Sequence, residues 1–269
     1  MRKLYLTVLT VITIFCIIIG SYRNLVYHDH HENYMPSEEY GTYEESAPAM
    51  EEEIEFSDDV EFPMDDVNEI YINIKAGSVL IQSDTGYALR SPNEEFVNWT
   101  FEDGVLKIDS KNTENFDLTD PSLFDGVPLV NLSVPYDIPV NNLHINANAG
   151  DVTISGAMIQ ALDVNCDMGD IHMDTVQLIG SANVHGKMGD IDMSVSSFND
   201  LSVQEDMGNI YLYSEADLTD FEKHCSVKVG SLRVNGSEIG RSFETSGNAG
   251  RLTVSNKMGD IDLEWPYSE

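Results

Sequence analysis

Met168-Gly169-Asp170-Ile171-His172-Met173 returns as Met188-Gly189-Asp190-Ile191-Asp192-Met193 and again as Met207-Gly208-Asn209-Ile210-Tyr211-Leu212. The shared unit is an apolar residue, a glycine, a small or polar residue, an aliphatic residue, any residue and a second apolar one. Ala76-Gly77-Ser78-Val79-Leu80-Ile81, Ala149-Gly150-Asp151-Val152-Thr153-Ile154 and Met258-Gly259-Asp260-Ile261-Asp262-Leu263 follow it, as do the units at Gly230 and Gly250. Apolar and polar residues alternating after each glycine have the period of a strand, not of a helix. From Gly150 the glycines at 150, 169, 189, 208, 230 and 250 are spaced 19, 20, 19, 22 and 20 residues apart. Such a period, built from strand-like units, is that of a β-solenoid in which each coil of about 20 residues buries its apolar face against its neighbours.

One coil shows how. After Gly169 the apolar residues run Ile171 and Met173, then Val176 and Leu178, then Ala182 and Val184. Corners at Asp174-Thr175 and Gly180-Ser181 separate three short faces, which fits a three-sided β-helix; a flatter coil of two sheets is the alternative. Gly77, Gly150, Gly169, Gly189, Gly208, Gly230, Gly250 and Gly259 are the structural residues of this repeat, because a corner with positive φ or a closely approaching neighbour selects glycine. The aspartate that often follows is suited to bonding the amides of its own turn. The interval from Gly250 to Gly259 is only 9 residues, which predicts a hairpin-like half turn, closed by Trp265 and Pro266.

Residues 61–148 keep the strand style without the period. Ile70, Ile72 and Ile74 alternate, as do Leu106 with Ile108, and Val130 with Leu132 and Val134, while Asp103-Gly104 is a hairpin signal. These residues read as an irregular N-terminal β cap, ahead of solenoid repeats over 149–269. Upstream, Leu4 to Gly20 is an apolar stretch broken only by Thr7, Thr10 and Thr13, preceded by Arg2 and Lys3. Residues 1–23 are expected to form a single transmembrane helix, an uncleaved signal anchor with the C-terminal part extracytoplasmic; a cleaved signal is the alternative. Residues 24–60, with Pro36, Pro48 and Glu51-Glu52-Glu53, read as an acidic, disordered spacer.

The chain carries 47 acidic and 14 basic residues, a formal charge of −33. From Asn24 to Ile74 there are 16 acidic residues and no lysine or arginine, so this segment is the most densely charged. A basic groove for phosphates is excluded, and nucleic acid with it as a partner. No Gly-x-Ser-x-Gly elbow, His-Glu-x-x-His pair or Walker loop is present. His144, His172, His185 and His224 are isolated on strand-like segments and read as surface rungs. Asp151, Asp170 and Asp190 form the one run of carboxylates that calcium could bridge, with structural Asx turns as the alternative; the row continues as Asn209, Ser231 and Arg251. His28-Asp29-His30-His31-Glu32 could take a soft transition metal or be a polar juxtamembrane segment. Cys166 and Cys225 should lie about three coils apart, too far to bridge. No catalytic residue, cofactor or metal site is expected.

The ordered series of Ile70-Tyr71-Ile72-Asn73-Ile74-Lys75-Ala76-Gly77-Ser78-Val79, Asp103-Gly104-Val105-Leu106-Lys107-Ile108, Leu132-Ser133-Val134-Pro135 and serial Gly-Asp-Ile units resembles the bacterial putative-adhesin family of β-strand-repeat proteins. The likeness covers about residues 62 to 263, and it implies a β-helical or solenoid fold in an extracytoplasmic, cell-surface setting. The expected function is a membrane-anchored binding, adhesin-like or scaffold module, not an enzyme, whose partner is an envelope protein or a glycan. An accessory or sensory component of envelope-stress signalling is the alternative, and a carbohydrate-active β-helix enzyme a more distant one. The oligomeric state is left open.

Overall fold

Alternating aliphatic residues give each strand one apolar face, and that face is buried only if strands stack in register. The computed structural model describes residues 59–63, 67–90, 96–111 and 129–266. The expected membrane segment at 1–23 and nearly all of the expected spacer at 24–60 lie outside these residues, as does His28–Glu32. The described residues are all-β, without a helix. They form a curled, solenoid-like sheet.

In chain order the strands are β1 (Val60–Phe62), β2 (Glu69–Ile74), β3 (Val79–Asp84), β4 (Tyr87–Leu89), β5 (Val97–Glu102), β6 (Val105–Ser110) and β7 (Val130–Pro135). There follow β8 (Val140–Ala147), β9 (Val152–Ser155), β10 (Met158–Cys166), β11 (Ile171–Met188), β12 (Ile191–Ser197), β13 (Asp200–Met207) and β14 (Ile210–Ser214). The last are β15 (Glu222–Val229), β16 (Leu232–Val234), β17 (Ser237–Gly240), β18 (Ser242–Thr245), β19 (Arg251–Met258) and β20 (Ile261–Glu264).

Two ladders run along the stack, joined at each glycine corner. Before the corner the spatial order is β5, β6, β2, β8, β10, the second half of β11, β13, β19, β15 and β18. After it the order is β1, β4, β7, β3, β9, the first half of β11, β12, β14, β20, β16 and β17. Interior pairings are parallel. The outermost ones, β5 with β6, β15 with β18, β1 with β4, β4 with β7 and β16 with β17, are antiparallel. Each end of the stack is thus finished by antiparallel pairings: β4, β5, β17 and β18 run against the repeat, and β1, reversed once more beyond β4, runs with it.

The stack does not follow the chain at either end. The coil made by β6 and β7 lies outside the coil made by β2 and β3, which precedes it in sequence. At the other end β19 and β20 are inserted between the coil of β13 and β14 and that of β15 and β16. The stretch expected as an irregular cap therefore contributes coils in register with the rest, since β2 and β3 pair directly with β8 and β9. Asp103-Gly104 does form the expected hairpin, with both residues at positive φ and Glu102 opposite Val105.

The core consists of columns of like residues. Ile108, Ile72, Ile145, Val164, Val184, Val203, Val254 and Cys225 stand in line, all buried. Across from them Val130, Val79, Val152, Ile171, Ile191, Ile210, Ile261 and Leu232 do the same. Each such aliphatic side chain contributes about 1.5–3 kcal/mol by leaving water. Val176 and Leu178 form the third inward pair of their coil, with register shifts on either side where the chain bends.

Candidate binding surface and the glycine corner

The corner row runs in space as Gly77, Gly150, Gly169, Gly189, Gly208, Gly259 and Gly230. Each of the first five N–H groups from Gly77 to Gly208 donates to the residue before the next glycine: Gly150 to Met168 O at 2.8 Å, Gly169 to Met188 O at 2.9 Å and Gly208 to Met258 O at 3.0 Å. Glycine is obligatory here for two reasons. Gly208 has φ 150, and a Cβ on it would land on the carbonyl oxygen of Gly189.

Gly250, which its spacing assigns to this row, stands elsewhere. Arg251 pairs with Asp200 and Glu222, so Gly250 lies at the opposite end of the ladder, against Asn199 and Phe221, and its φ is not positive. The unit at Gly259 is not a hairpin-like half turn; it is the true corner of the inserted coil. Trp265 lies buried, but β20 runs between β14 and β16, so it does not close the end of the stack; it stands beside the buried Lys223, whose Nζ is 5.5 Å from its ring and donates to Phe221 O at 3.0 Å. Burial lowers the Lys223 pKa.

The residue after each corner glycine bonds to the next coil rather than to its own turn. Ser78 Oγ accepts from the Asp151 amide, Asp151 Oδ1 from Asp170, Asp170 Oδ1 from Asp190, and Asp190 Oδ1 from Asn209. Asn209 Oδ1 accepts from Asp260 and Asp260 Oδ1 from Ser231. The backbone donation from Ser231 holds the Asp260 carboxyl below the usual carboxylate range. Arg251 has no place in this row; Asp260 does. Among the described residues no group of three or more His, Cys, Asp or Glu side chains is arranged to hold a metal ion.

Inside the corner stands a second, polar column, which continues the inward-facing series of its strands. Gly186 is opposite Glu205, and Glu205 is opposite Asn256. Asn256 Nδ2 donates to Gly208 O at 2.7 Å and its Oδ1 accepts from the Met258 amide at 3.0 Å. Glu205 Oε1 accepts from the amides of Asp206 and Met207 at 3.1 and 3.0 Å. Its Oε2 is buried without a partner among the described residues, in space that a side chain on Gly186 would fill. Burial, reinforced by the charges of Asp206 and Asp190, pushes this carboxyl up to about 7. Cys166 and Cys225 are free and buried, with thiols pushed up to about 12 by desolvation. With the inserted coil between them they stand four strands apart along the ladder, not three.

The outer faces are in-register polar rows. Asn73 Nδ2 donates to Asp109 Oδ1, Asn146 Nδ2 to Asn73 Oδ1 and Asn165 Nδ2 to Asn146 Oδ1, at 2.9, 2.9 and 3.3 Å. The histidines point outward as expected. His144 stacks on Tyr71 at 4.7 Å, His172 lies 3.6 Å from Asp192, and His224 bonds to Glu222 at 2.9 Å. Tyr211 and Tyr213 are exposed on β14, Tyr211 donating to Glu264 Oε2 at 3.1 Å. An open depression is floored by Ser181, Asn183, Ser202 and Thr253 with Asp200 and Arg251 beside them.

No curated protein matches the chain. Among solved structures, a putative cell adhesion protein from Clostridium sporogenes is 12% identical over 78% of this chain and 98% of its own, with a TM-score of 0.47. A putative adhesin from Bacteroides fragilis is 14% identical over 77% of this chain and 96% of its own, at 0.31. One from Parabacteroides merdae is 13% identical over 77% and 95%, at 0.25. Residues 59–264, nearly all that the structure describes, match Toastrack DUF4097. The chain belongs to the Toastrack DUF4097 family.

Proposed function

We propose that this protein is a binding or scaffold module of the adhesin type, anchored in a bacterial cell membrane by residues 1–23 and displaying its β stack outside the cytoplasm. The observation that carries the reading is the outer surface of the two ladders, where Asn, Ser, Thr, His and Tyr recur in register. Rows repeating at the strand spacing of about 4.8 Å suit an extended partner better than a small molecule. An envelope protein or a glycan fits that description, whereas the net charge of −33 opposes a nucleic acid. The acidic spacer, repelled by itself and by anionic headgroups, would hold the stack away from the membrane.

The test is protease accessibility on intact cells followed by capture. A tag after Glu269 is expected to be cleaved from outside and to sediment with membranes, and the full chain to retain isolated envelope glycan or one envelope protein. A tag protected on intact cells, or a chain in the cytosolic fraction, overturns the proposal.

A further inference from the structure

One row of the stack breaks the rule that exposed positions are polar. Met188 pairs with Met207, Met207 with Met258 and Met258 with Val229. The amides of Gly150 and Gly169 bond to the carbonyls of Met168 and Met188, which puts Met168 on the rung before Met188. Four methionines thus occupy consecutive rungs at one edge of the ladder, and their exposures lie between 43% and 54%. Equivalent positions on parallel strands point the same way, so the four thioethers share one side of the stack. The buried Met173 and Met193 belong to the core and are a separate pair.

We propose that the Met168, Met188, Met207 and Met258 row binds a soft monovalent metal ion, Cu(I), between thioethers of adjacent rungs. Thioether sulfur is a soft donor that selects Cu(I) over hard cations, which need oxygen shells. Strands repeat every ~4.8 Å. Two metal–sulfur bonds of about 2.3 Å laid end to end span nearly the same length. The carboxylates of Asp170, Asp190 and Asp260, two residues beyond three of the methionines, make the edge attractive to a cation. Of the ammonium groups near the row, Lys187 is offset by Asp167 at 2.6 Å and Lys257 by Asp206 at 2.5 Å, while Lys228 stands one strand beyond the last methionine, before the Val229 that pairs with Met258. Binding changes no oxidation state and needs no rearrangement of the corner, because the side chains already project into solvent.

The full chain in detergent, carrying 13C-methyl methionine and kept anaerobic and reduced, is titrated with Ag(I) as a redox-inert probe and with Cu(I) held by a chromophoric chelator. The ε-methyl signals of Met168, Met188, Met207 and Met258 are expected to shift while those of Met173 and Met193 stay. The M188L/M207L variant keeps apolar, exposed side chains and an unchanged melting temperature, and is expected to hold Cu(I) at least tenfold more weakly. A variant with His28, His30 and His31 replaced by alanine is expected to retain the row's shifts. Unmoved row signals, or an M188L/M207L chain that takes Cu(I) from the chelator as well as its parent, overturn the proposal.

Discussion

Asp170 holds the amide of Asp190: its Oδ1 accepts that N–H at 3.0 Å across the gap between two coils. Asp190 repeats the contact with both the backbone and the side-chain nitrogen of Asn209. Replacing Asp190 by alanine leaves that amide to water and is expected to cost about 1 kcal/mol. Asp190→Asn, which keeps the acceptor as Asn209 itself does for Asp260, is expected to cost much less. Urea midpoints of the two variants measure the difference, and equal losses would mean that the ladder contributes nothing specific.

Glycine matters unequally along the chain. Gly208→Ala puts a methyl group on the Gly189 carbonyl at a strained φ and is expected to cost more than about 4 kcal/mol or to prevent folding. Gly236 also has positive φ, at 73, but nothing lies within 4 Å of a Cβ there. Gly236→Ala is expected to lose only the conformational cost, about 1–2 kcal/mol. Circular dichroism and thermal melts separate the two.

Glu205 gives the stack an unusual pH dependence. The carboxyl ionises at an ordinary value of 4.5 in the unfolded chain but keeps its proton to about 7 when folded. Between those values the unfolded state binds fewer protons, so stability falls as pH rises from 4.5 to about 7 and is level beyond. A shift of that size corresponds to about 3 kcal/mol. Asp260 acts in the opposite sense, its depressed carboxyl losing stability as pH falls. Glu205→Gln is expected to raise the melting temperature at pH 8 and to change it little near pH 4.5. A gain that is the same at both pH values would show that burial of charge is not its source.

The inserted coil can be tested by cross-linking. Ser202 faces Thr253 on the neighbouring strand, whereas winding in chain order would set it beside His224. Neighbouring strands lie within the Cα separation a disulfide tolerates. Ser202→Cys with Thr253→Cys is expected to oxidise to a bridged species of higher gel mobility, and Ser202→Cys with His224→Cys is not. The buried thiols of Cys166 and Cys225, raised to about 12, should stay out of the exchange. The opposite pattern of bridging would refute the order of coils.

What sequence shows and hides follows from how local each signal is. Ile70, Ile72 and Ile74 announce a buried face by alternation alone, and all three are buried. The order of coils is not local: Gly250 and Gly259 fit the same pattern, and only the open edges of β13 and β15 decide which becomes a corner. The irregular intervals of 22 residues before Gly230 and 9 before Gly259 were the trace of that insertion. The coil of β6 and β7 shows in the sequence only as alternation, Leu106 with Ile108 and Val130 with Leu132, because no unit of the repeat stands between them. Glu205, Asn256 and Lys223 could have been found by parity, since each continues an inward series: Leu201 and Val203, Leu252 and Val254, Cys225 and Val227. A polar residue on the apolar side of a strand is the sign to look for.

Insertion of β19 and β20 also sets an order of events during synthesis. When residues 222–234 emerge, the strands that will flank them on the inner side do not yet exist. They either wait or dock provisionally on β13 and β14, from which residues 251–264 must later displace them. The later segment is therefore a keystone that closes the wall from within, not one more slice added to its end.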